Sequence, residues 1–143
     1  MQIVIKELVS FSEEYVEGLD ALMHELSPAA TATEARVRMC IEDKNMHLYA
    51  AFEEERMLGC ATLCVCTTPE MVTGFVEAVV VTAACRGQHL GRKLMERVVD
   101  DARQYGVQHL HLTSNPKRVE ANGLYRAMGF QSKETNVYVM SIN

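Results

Sequence analysis

The sequence lacks the hydrophobic stretch of a membrane-spanning helix, because no apolar run approaches the roughly 20 residues needed. Its N-terminus also lacks the basic region and long apolar segment of a secretory signal, and residues 2–8 alternate as a strand does. Basic residues are fewer than acidic ones, 14 against 19, and the net charge of −5 argues against broad nucleic-acid binding. We therefore expect a cytoplasmic protein with no membrane or nucleic-acid partner, although one local anion site is not excluded.

Patterns that indicate metal or disulfide sites are also missing. The chain contains five cysteines, an odd number, and none of them forms a C-x-x-C pair. The five histidines are scattered, and no two lie four residues apart on a predicted helix. These absences are typical of reduced thiols in a cytosolic protein, and we expect no bound metal.

The hydrophobic pattern predicts a single α/β (α+β) domain over residues 1–143. With 48% hydrophobic residues the chain can bury one core of ordinary size. Periodicity predicts the order β-α-α-β-β-β-α-β-α-β-β, which is a mixed sheet of about six to seven strands with four helices. The run Val79-Val80-Val81 indicates a strand buried on both faces. Residues 130–133 and 135–142 are expected to form the last two strands.

One segment combines a buried strand, a short loop and the start of a helix predicted from about Gln88 to Tyr105. Unpaired N–H groups and the positive end of the dipole make a helix start a ready anion site. Basic side chains there oppose the dipole, so a purely structural helix rarely has them. A diphosphate site is therefore favoured over a helix whose glycines serve the turn alone. The loop residues are Arg86, Gly87, Gln88, His89, Leu90, Gly91, Arg92 and Lys93.

This loop resembles the signature of the GNAT superfamily of N-acetyltransferases. That signature is Arg/Gln-x-x-Gly-x-Gly/Ala, which follows a strand and opens a helix, whereas the Walker and dinucleotide patterns are absent. Arg86 to Gly91 occupy the six places, and His89 stands where the family usually has its first glycine. We expect His89 either to adopt a negative φ or to contact a phosphate itself.

A later segment resembles the family's second motif, which is Asn, a few residues, then Arg-x-x-Ala-x-x-Leu/Phe-Tyr-x-x-x-Gly-Phe. The matching residues are Asn115, Arg118, Ala121, Leu124, Tyr125, Gly129 and Phe130. Two motifs in order, with one strand between them, are a specific signature, and the resemblance covers essentially the whole chain. It implies the acyl-CoA N-acyltransferase fold, in which two central strands splay apart around the pantetheine arm of acetyl-CoA.

The resemblance also implies roles for individual residues. Val79, Val80 and Val81 provide backbone contacts to the pantetheine, and a bulge in their strand turns N–H groups toward the thioester. Asn115 touches the pantetheine or the acceptor from the other strand. Tyr125 lies at the family's general-acid position and belongs to the cofactor-binding residues as well. The alternative for Tyr125 is a core aromatic at helical spacing.

Glu77 interrupts an otherwise apolar strand, where an unpaired carboxylate is costly. Several family members have an acid there that acts as a base, so Glu77 is a candidate general base, with a salt-bridged or rim-exposed carboxylate as the alternative. Cys64 suggests an acyl-cysteine route, but it shares a strand face with Cys60 and Cys66, and small thiols often fill cores. Direct transfer in a ternary complex is therefore preferred.

The predicted function is transfer of an acetyl group from acetyl-CoA to a primary amine of a small molecule or peptide. A domain that binds acetyl-CoA without turnover, as a sensor or interaction module, is the second interpretation. The sequence does not identify the acceptor, although the acidic balance fits a cationic amine. Family members are often dimers through the late strands, so the resemblance implies a homodimer with residues 137–142 as the candidate surface.

Overall fold

The computed structural model describes residues 2–143 of the chain. The described elements are β1 (Ile3–Glu7), α1 (Glu13–Leu26), α2 (Glu34–Glu42), β2 (Met46–Glu53), β3 (Arg56–Thr67), β4 (Val72–Val81), α3 (Leu90–Gln104), β5 (His109–His111) and α4 (Val119–Ala127). A single turn of 3-10 helix, Ala83–Cys85, follows β4. The chain forms two compact units, a larger one that ends at Leu112 and a smaller one, Thr113–Asn143. None of the described helices is long and apolar enough to cross a membrane.

The larger unit contains a mixed sheet in the order β1-β2-β3-β4-β5. Neighbouring strands are antiparallel except β4 and β5, which are parallel. The β4–β5 pairing extends only from Thr73 opposite His109 to Phe75 opposite His111. The predicted mixed sheet with four helices is confirmed, and the element order is as predicted as far as α4.

Helices cover both faces of this sheet. Successive strand residues point to opposite faces, so the adjacent residues Gly59 and Cys60 of β3 identify the two layers. Cys60 belongs to the core formed with α1 and α2, which bury apolar residues at helical spacing. A Cβ on Gly59 would meet a methyl group of Leu94 at 3.0 Å, so α3 packs closely against the other face. The core therefore has two layers, one on each side of the central strands.

The sheet has five strands rather than six to seven, so the prediction of a final strand pair is wrong. Residues 131–143 are exposed, and no described strand pairs with them. The alternating apolar residues from Val137 to Ile142 suit a strand, but β-propensity is realised only against a neighbouring strand that supplies hydrogen bonds and side-chain contacts.

Two further differences concern β4 and α3. Only Val80 is buried, whereas Val79 and Val81 are half-buried, so the expectation of a strand buried on both faces is wrong. The reason is that β5 ends at His111 and leaves the following part of β4 without a neighbour. In addition, α3 begins at Leu90, two residues later than predicted, because residues 87–89 belong to the loop.

Candidate functional site

β4 contains a bulge in its pairing with β3. Two residues of β4, Ala78 and Val79, lie opposite the single residue Ala61. Ala78 has a φ of 52°, the left-handed conformation that the first residue of one common bulge type adopts. The bulge therefore lies immediately after Glu77 and at the start of Val79–Val81.

Beyond the bulge, one edge of β4 is open. Because β5 ends opposite Phe75, residues 79–81 have no strand on that side among the described residues. Buried or half-buried backbone N–H and C=O groups require partners. An extended ligand with amide groups can provide them in the way that an added strand does. The edge can therefore accept an extended ligand that carries amide groups.

The loop after β4 is fixed at its first end by α1. The carboxylate of Glu25 accepts a hydrogen bond from Thr82 Oγ1 at 2.8 Å and another from the Ala83 N–H at 2.9 Å. Buried side chains of Cys85 and Leu90 hold the loop on either side of its exposed part. Between these anchors only residues 86–89 are exposed. The anchors hold these four residues at the start of α3.

Within the loop the backbone enters the left-handed region twice, at Gly87 with a φ of 84° and at His89 with a φ of 60°. No described acceptor receives a hydrogen bond from the N–H groups of residues 87–92. The first return bond is from the Lys93 N–H to the His89 carbonyl at 3.1 Å. Successive free N–H groups and the positive end of the α3 dipole form an anion site.

The expectation that His89 adopts a negative φ is wrong. Its left-handed conformation is the one that glycine adopts without steric cost, and glycine is what the GNAT signature usually has here. A side chain with a Cβ costs roughly 1–2 kcal/mol in this region. His89 therefore holds this backbone conformation at some local strain, while its imidazole is exposed.

The side chains around the loop add positive charge. The cationic side chains of Arg86, Arg92 and Lys93 are exposed, as is the neutral side chain of Gln88. Arg92 also forms an ion pair of 3.7 Å with Glu96 one turn further along α3. Cations grouped beside free N–H groups raise the local potential for an anion in an otherwise acidic protein. The structure thus brings the predicted loop residues together in one place.

Glu77 is exposed on β4, so the cost of burying its carboxylate does not arise. Its side chain forms no ion pair or hydrogen bond with any other described residue. The sequence left two alternatives to a catalytic Glu77, a salt-bridged carboxylate and a rim-exposed one. The salt-bridged alternative is wrong, and the exposed alternative agrees with the position of Glu77. The carboxylate thus lies next to the bulge and is accessible to solvent.

The cysteines of β3 remain free thiols. Burial raises the pKa of Cys64, with further contributions from Cys66, Asp43 and Glu77. Burial raises the pKa of Cys60 to about 12. A thiol held protonated is a poor nucleophile, so this environment supports direct transfer over an acyl-cysteine route. Residues 2–143 contain no group of three or more His, Cys, Asp or Glu side chains that could share a metal ion.

In the smaller unit, Tyr125 lies on α4. Its ring meets that of Phe130 edge-on, with centroids 5.9 Å apart and planes inclined at 67°. Burial raises the pKa of the phenol above its ordinary value of 10.0, and the charge of Arg118 lowers it. The phenol therefore keeps its proton at neutral pH, which a general acid must do.

Asn115 initiates the turn that leads into α4. Its Oδ1 accepts a hydrogen bond from the Lys117 N–H at 2.9 Å. The side-chain amide of Asn122 donates to the carbonyl of Asn115 at 2.9 Å and to that of Arg118 at 2.7 Å. Asn122 thus fixes this turn, a role that the sequence motif does not indicate because its place in the pattern is unspecified.

Comparison with known proteins identifies the family. The family model described as Acetyltransferase (GNAT) family matches residues 9–130. An IAA acetyltransferase from Azospirillum brasilense is 27% identical over 120 residues, which are 84% of this chain and 76% of that protein. Serotonin N-acetyltransferase 2, chloroplastic, from Oryza sativa subsp. japonica is 46% identical over 52 residues, 36% of this chain and 24% of that protein.

A solved structure shows the same fold. Glucosamine-6-phosphate N-acetyltransferase from Arabidopsis thaliana superposes with a TM-score of 0.83 at 19% identity, over 98% of this chain and 99% of that one. The family match spans the bulge, the loop and the second motif, and it covers most of the chain. The chain therefore belongs to the GNAT family and is an acetyltransferase, as its two motifs implied.

Proposed function

We propose that this acetyltransferase transfers the acetyl group of acetyl-CoA directly to a primary amine of a small molecule or peptide in a ternary complex. The observation that carries the proposal is the series of N–H groups without acceptors at residues 87–92, close in sequence to the open edge of β4. The GNAT family uses acetyl-CoA as its donor. The N–H groups suit the diphosphate of acetyl-CoA, and the open edge of β4 suits its amide-containing arm.

The residues present fit this donor. The N–H groups of residues 87–92 would hold the diphosphate, with Arg86 and Arg92 as counter-charges and Leu90 and Gly91 at the helix start. A Cβ placed on Gly87 would meet nothing within 4 Å, so the loop leaves open space at that position. Residues 79–81 would pair with the pantetheine amides. The donor supplies an acetyl group activated as a thioester.

Three groups of this chain would promote the transfer. Glu77 accepts the proton of the substrate ammonium, directly or through water, because an alkylammonium has a pKa of about 10.4 and is charged at neutral pH. The N–H of Val80 or Val81 donates a hydrogen bond to the oxyanion that forms at the acetyl carbon. Tyr125 then donates its proton to the departing thiolate, and Asn115 contacts the donor or the acceptor.

We assign both compact units to one N-acetyltransferase domain over residues 1–143. The support is that the family match continues from residue 9 to residue 130 and so crosses the boundary before Thr113. The rice relative's name gives serotonin as its acceptor, which supports an amine as the acceptor class here. We also propose a homodimer through residues 137–142, because five apolar side chains in this segment are at least 69% exposed.

Calorimetric titration with acetyl-CoA tests the proposal. We expect micromolar binding to the unmodified protein, at least tenfold weaker binding to Arg86→Ala and none to Gly91→Trp, because the first removes a counter-charge and the second fills the helix start. Arg103→Ala is the matched control, since it removes an equally exposed cation near the other end of α3. It should bind acetyl-CoA as the unmodified protein does.

A thiol-release assay with a panel of amines completes the test. Release that depends on both acetyl-CoA and an amine supports the transferase. Binding of acetyl-CoA without release for any amine favours the sensor or interaction module instead. No detectable binding to the unmodified protein would contradict both interpretations of the loop.

A further inference from the structure

An aromatic pair, one exposed ring and one half-buried ring, lies beside Glu77. The rings of Phe75 on β4 and His111 on β5 stack with centroids 5.2 Å apart and planes inclined at 23°. Phe75 is 40% exposed although it belongs to a central strand. The ring of His109 lies 6.5 Å from that of His111 and extends the same surface. A partly apolar area is therefore open to solvent where β4 meets the edge strand β5.

The aromatic pair and Glu77 share one face of the sheet. Residues two apart in a strand point to the same side, so Phe75 and Glu77 face together while the buried Val76 points to the other side. The two positions are about 6.8 Å apart along the strand. A ring resting on Phe75 and an amino group on a short methylene arm would span this distance. The amino group would then lie at the carboxylate next to the bulge.

This face is also acidic. The charges of Asp43 and Glu77 both contribute to the raised pKa of the Cys64 thiol, and Cys64 is the β3 partner of Phe75. Neither carboxylate forms a salt bridge with any other described residue. An aromatic surface with two unpaired negative charges nearby is complementary to a cation carried on a ring.

An exposed aromatic side chain is common on protein surfaces and by itself indicates little. Three features distinguish this one: it is stacked on a second ring, it lies on the face of an unpaired carboxylate, and it precedes the bulge and the open edge of β4. We infer that the face formed by Phe75, His109, His111 and Glu77 binds the acceptor, and that the acceptor is an arylalkylamine. The reaction of this amine rests on the proposed function, whereas its binding does not.

Binding can be measured directly because the chain contains no tryptophan. The indole fluorescence of tryptamine then reports the ligand alone, when it is excited at the red edge of tyrosine absorption. Phe75→Leu removes the aromatic ring and keeps an apolar side chain. We expect it to weaken tryptamine binding about threefold to tenfold, since contacts between aromatic rings contribute this much beyond the buried area.

Tyr105→Leu is the matched control. Tyr105 is 42% exposed and stacks on His47, with ring centroids 4.2 Å apart, at a different place in the larger unit. The Tyr105→Leu substitution therefore removes a comparable aromatic–histidine pair and should leave tryptamine binding unchanged. Unfolding midpoints of all three proteins confirm that they are folded. Absence of tryptamine binding to the unmodified protein, or equal weakening in both variants, would overturn the inference.

Turnover separates this inference from the proposed function. With acetyl-CoA at saturation, kcat/KM for tryptamine should exceed that for butylamine at least tenfold, and Phe75→Leu should reduce this ratio. If butylamine reacts as well as tryptamine, the proposed acetyl transfer is supported and the proposed aromatic acceptor site is wrong. If tryptamine binds, and binds more weakly to Phe75→Leu, but no amine causes thiol release, the proposed acceptor site is supported and the proposed acetyl transfer is wrong.

Discussion

At the scale of single residues, Glu77 and Tyr125 occupy opposite environments. Glu77 is exposed and takes part in none of the described salt bridges, so its carboxylate is accessible to solvent. Tyr125 is buried, and burial raises the pKa of its phenol, so the proton stays on the ring far above neutral pH. An exposed carboxylate and a phenol that stays protonated suit the proposed roles of general base and general acid.

The two assigned roles predict different pH responses. Glu77→Gln should lower kcat/KM about a hundredfold at pH 7, and the deficit should shrink as the pH nears about 10.4, where the amine loses its proton unaided. Tyr125→Phe should show a similar loss that persists, because the raised pKa keeps the wild-type phenol protonated past pH 10.0. The measurement is kcat/KM for each protein across this range.

Parallel pH profiles for the two variants would contradict this assignment of base and acid. The substitutions are close in size to the original side chains, so the unfolding midpoint of each variant should match that of the unmodified enzyme. A variant with a lower midpoint is compared at a temperature where it remains folded.

Glu77 and Tyr125 are predicted from the sequence because each occupies a defined place in a pattern, and their roles stay predictions. Sequence reasoning did not identify Glu25, which holds the start of the phosphate loop. Glu25 and Thr82 are 57 residues apart, and nothing local distinguishes this glutamate from the others of α1. Contacts between distant elements depend on the packing of the whole unit, which a local pattern does not contain.

At the scale of elements, the loop between β4 and α3 shows how the chain accommodates an unusual residue. Gly87 and His89 both adopt positive φ values, and only Gly87 does so without a Cβ. These positive φ values also explain why the start of α3 was predicted too early. Apolar periodicity does not indicate the backbone turn that precedes the helix. The motif indicated the loop's location, whereas its backbone geometry became visible only in the structure.

The strain at His89 has a measurable consequence. His89→Gly should be more stable than His89→Ala by about 1 kcal/mol, because the two variants differ mainly by a Cβ in a left-handed conformation. Both lack the imidazole, so any role of that ring cancels. Denaturant unfolding of the two proteins without ligand measures the difference.

The neighbouring Gln88 provides the control, since it has no positive φ. There the order should reverse, with Gln88→Ala more stable than Gln88→Gly by about 0.4–1 kcal/mol, because glycine loses more conformational freedom on folding. The same order at both positions would mean that His89 does not hold the left-handed conformation in solution.

At the scale of the whole molecule, the order of strands and helices followed from periodicity as far as α4. The exception is the C-terminal segment, for which alternation predicted two strands that the structure lacks. Alternating apolar residues show that a segment could pair, but pairing also needs an available partner strand. Residues 131–143 have none among the described residues and are exposed throughout.

The proposed homodimer makes this exposure testable. Val139→Lys should convert a dimer into a monomer in sedimentation velocity, because it places a charge within an apolar contact surface. Val119→Lys is the control, since Val119 is 73% exposed on α4, outside the proposed surface, and its replacement should leave the dimer intact. A protein that is monomeric at all concentrations, or a Val139→Lys variant that remains dimeric, would exclude this interface.

The open edge of β4 also affects how the enzyme behaves when it is empty. The same N–H and C=O groups that suit a donor molecule can template the addition of a foreign strand, which is how exposed sheet edges begin to aggregate. In the proposed complex the donor would cover this edge and would also stabilise the folded state by mass action. Under the proposed function, the donor would therefore also protect this edge from aggregation, and the protein should aggregate more slowly in its presence.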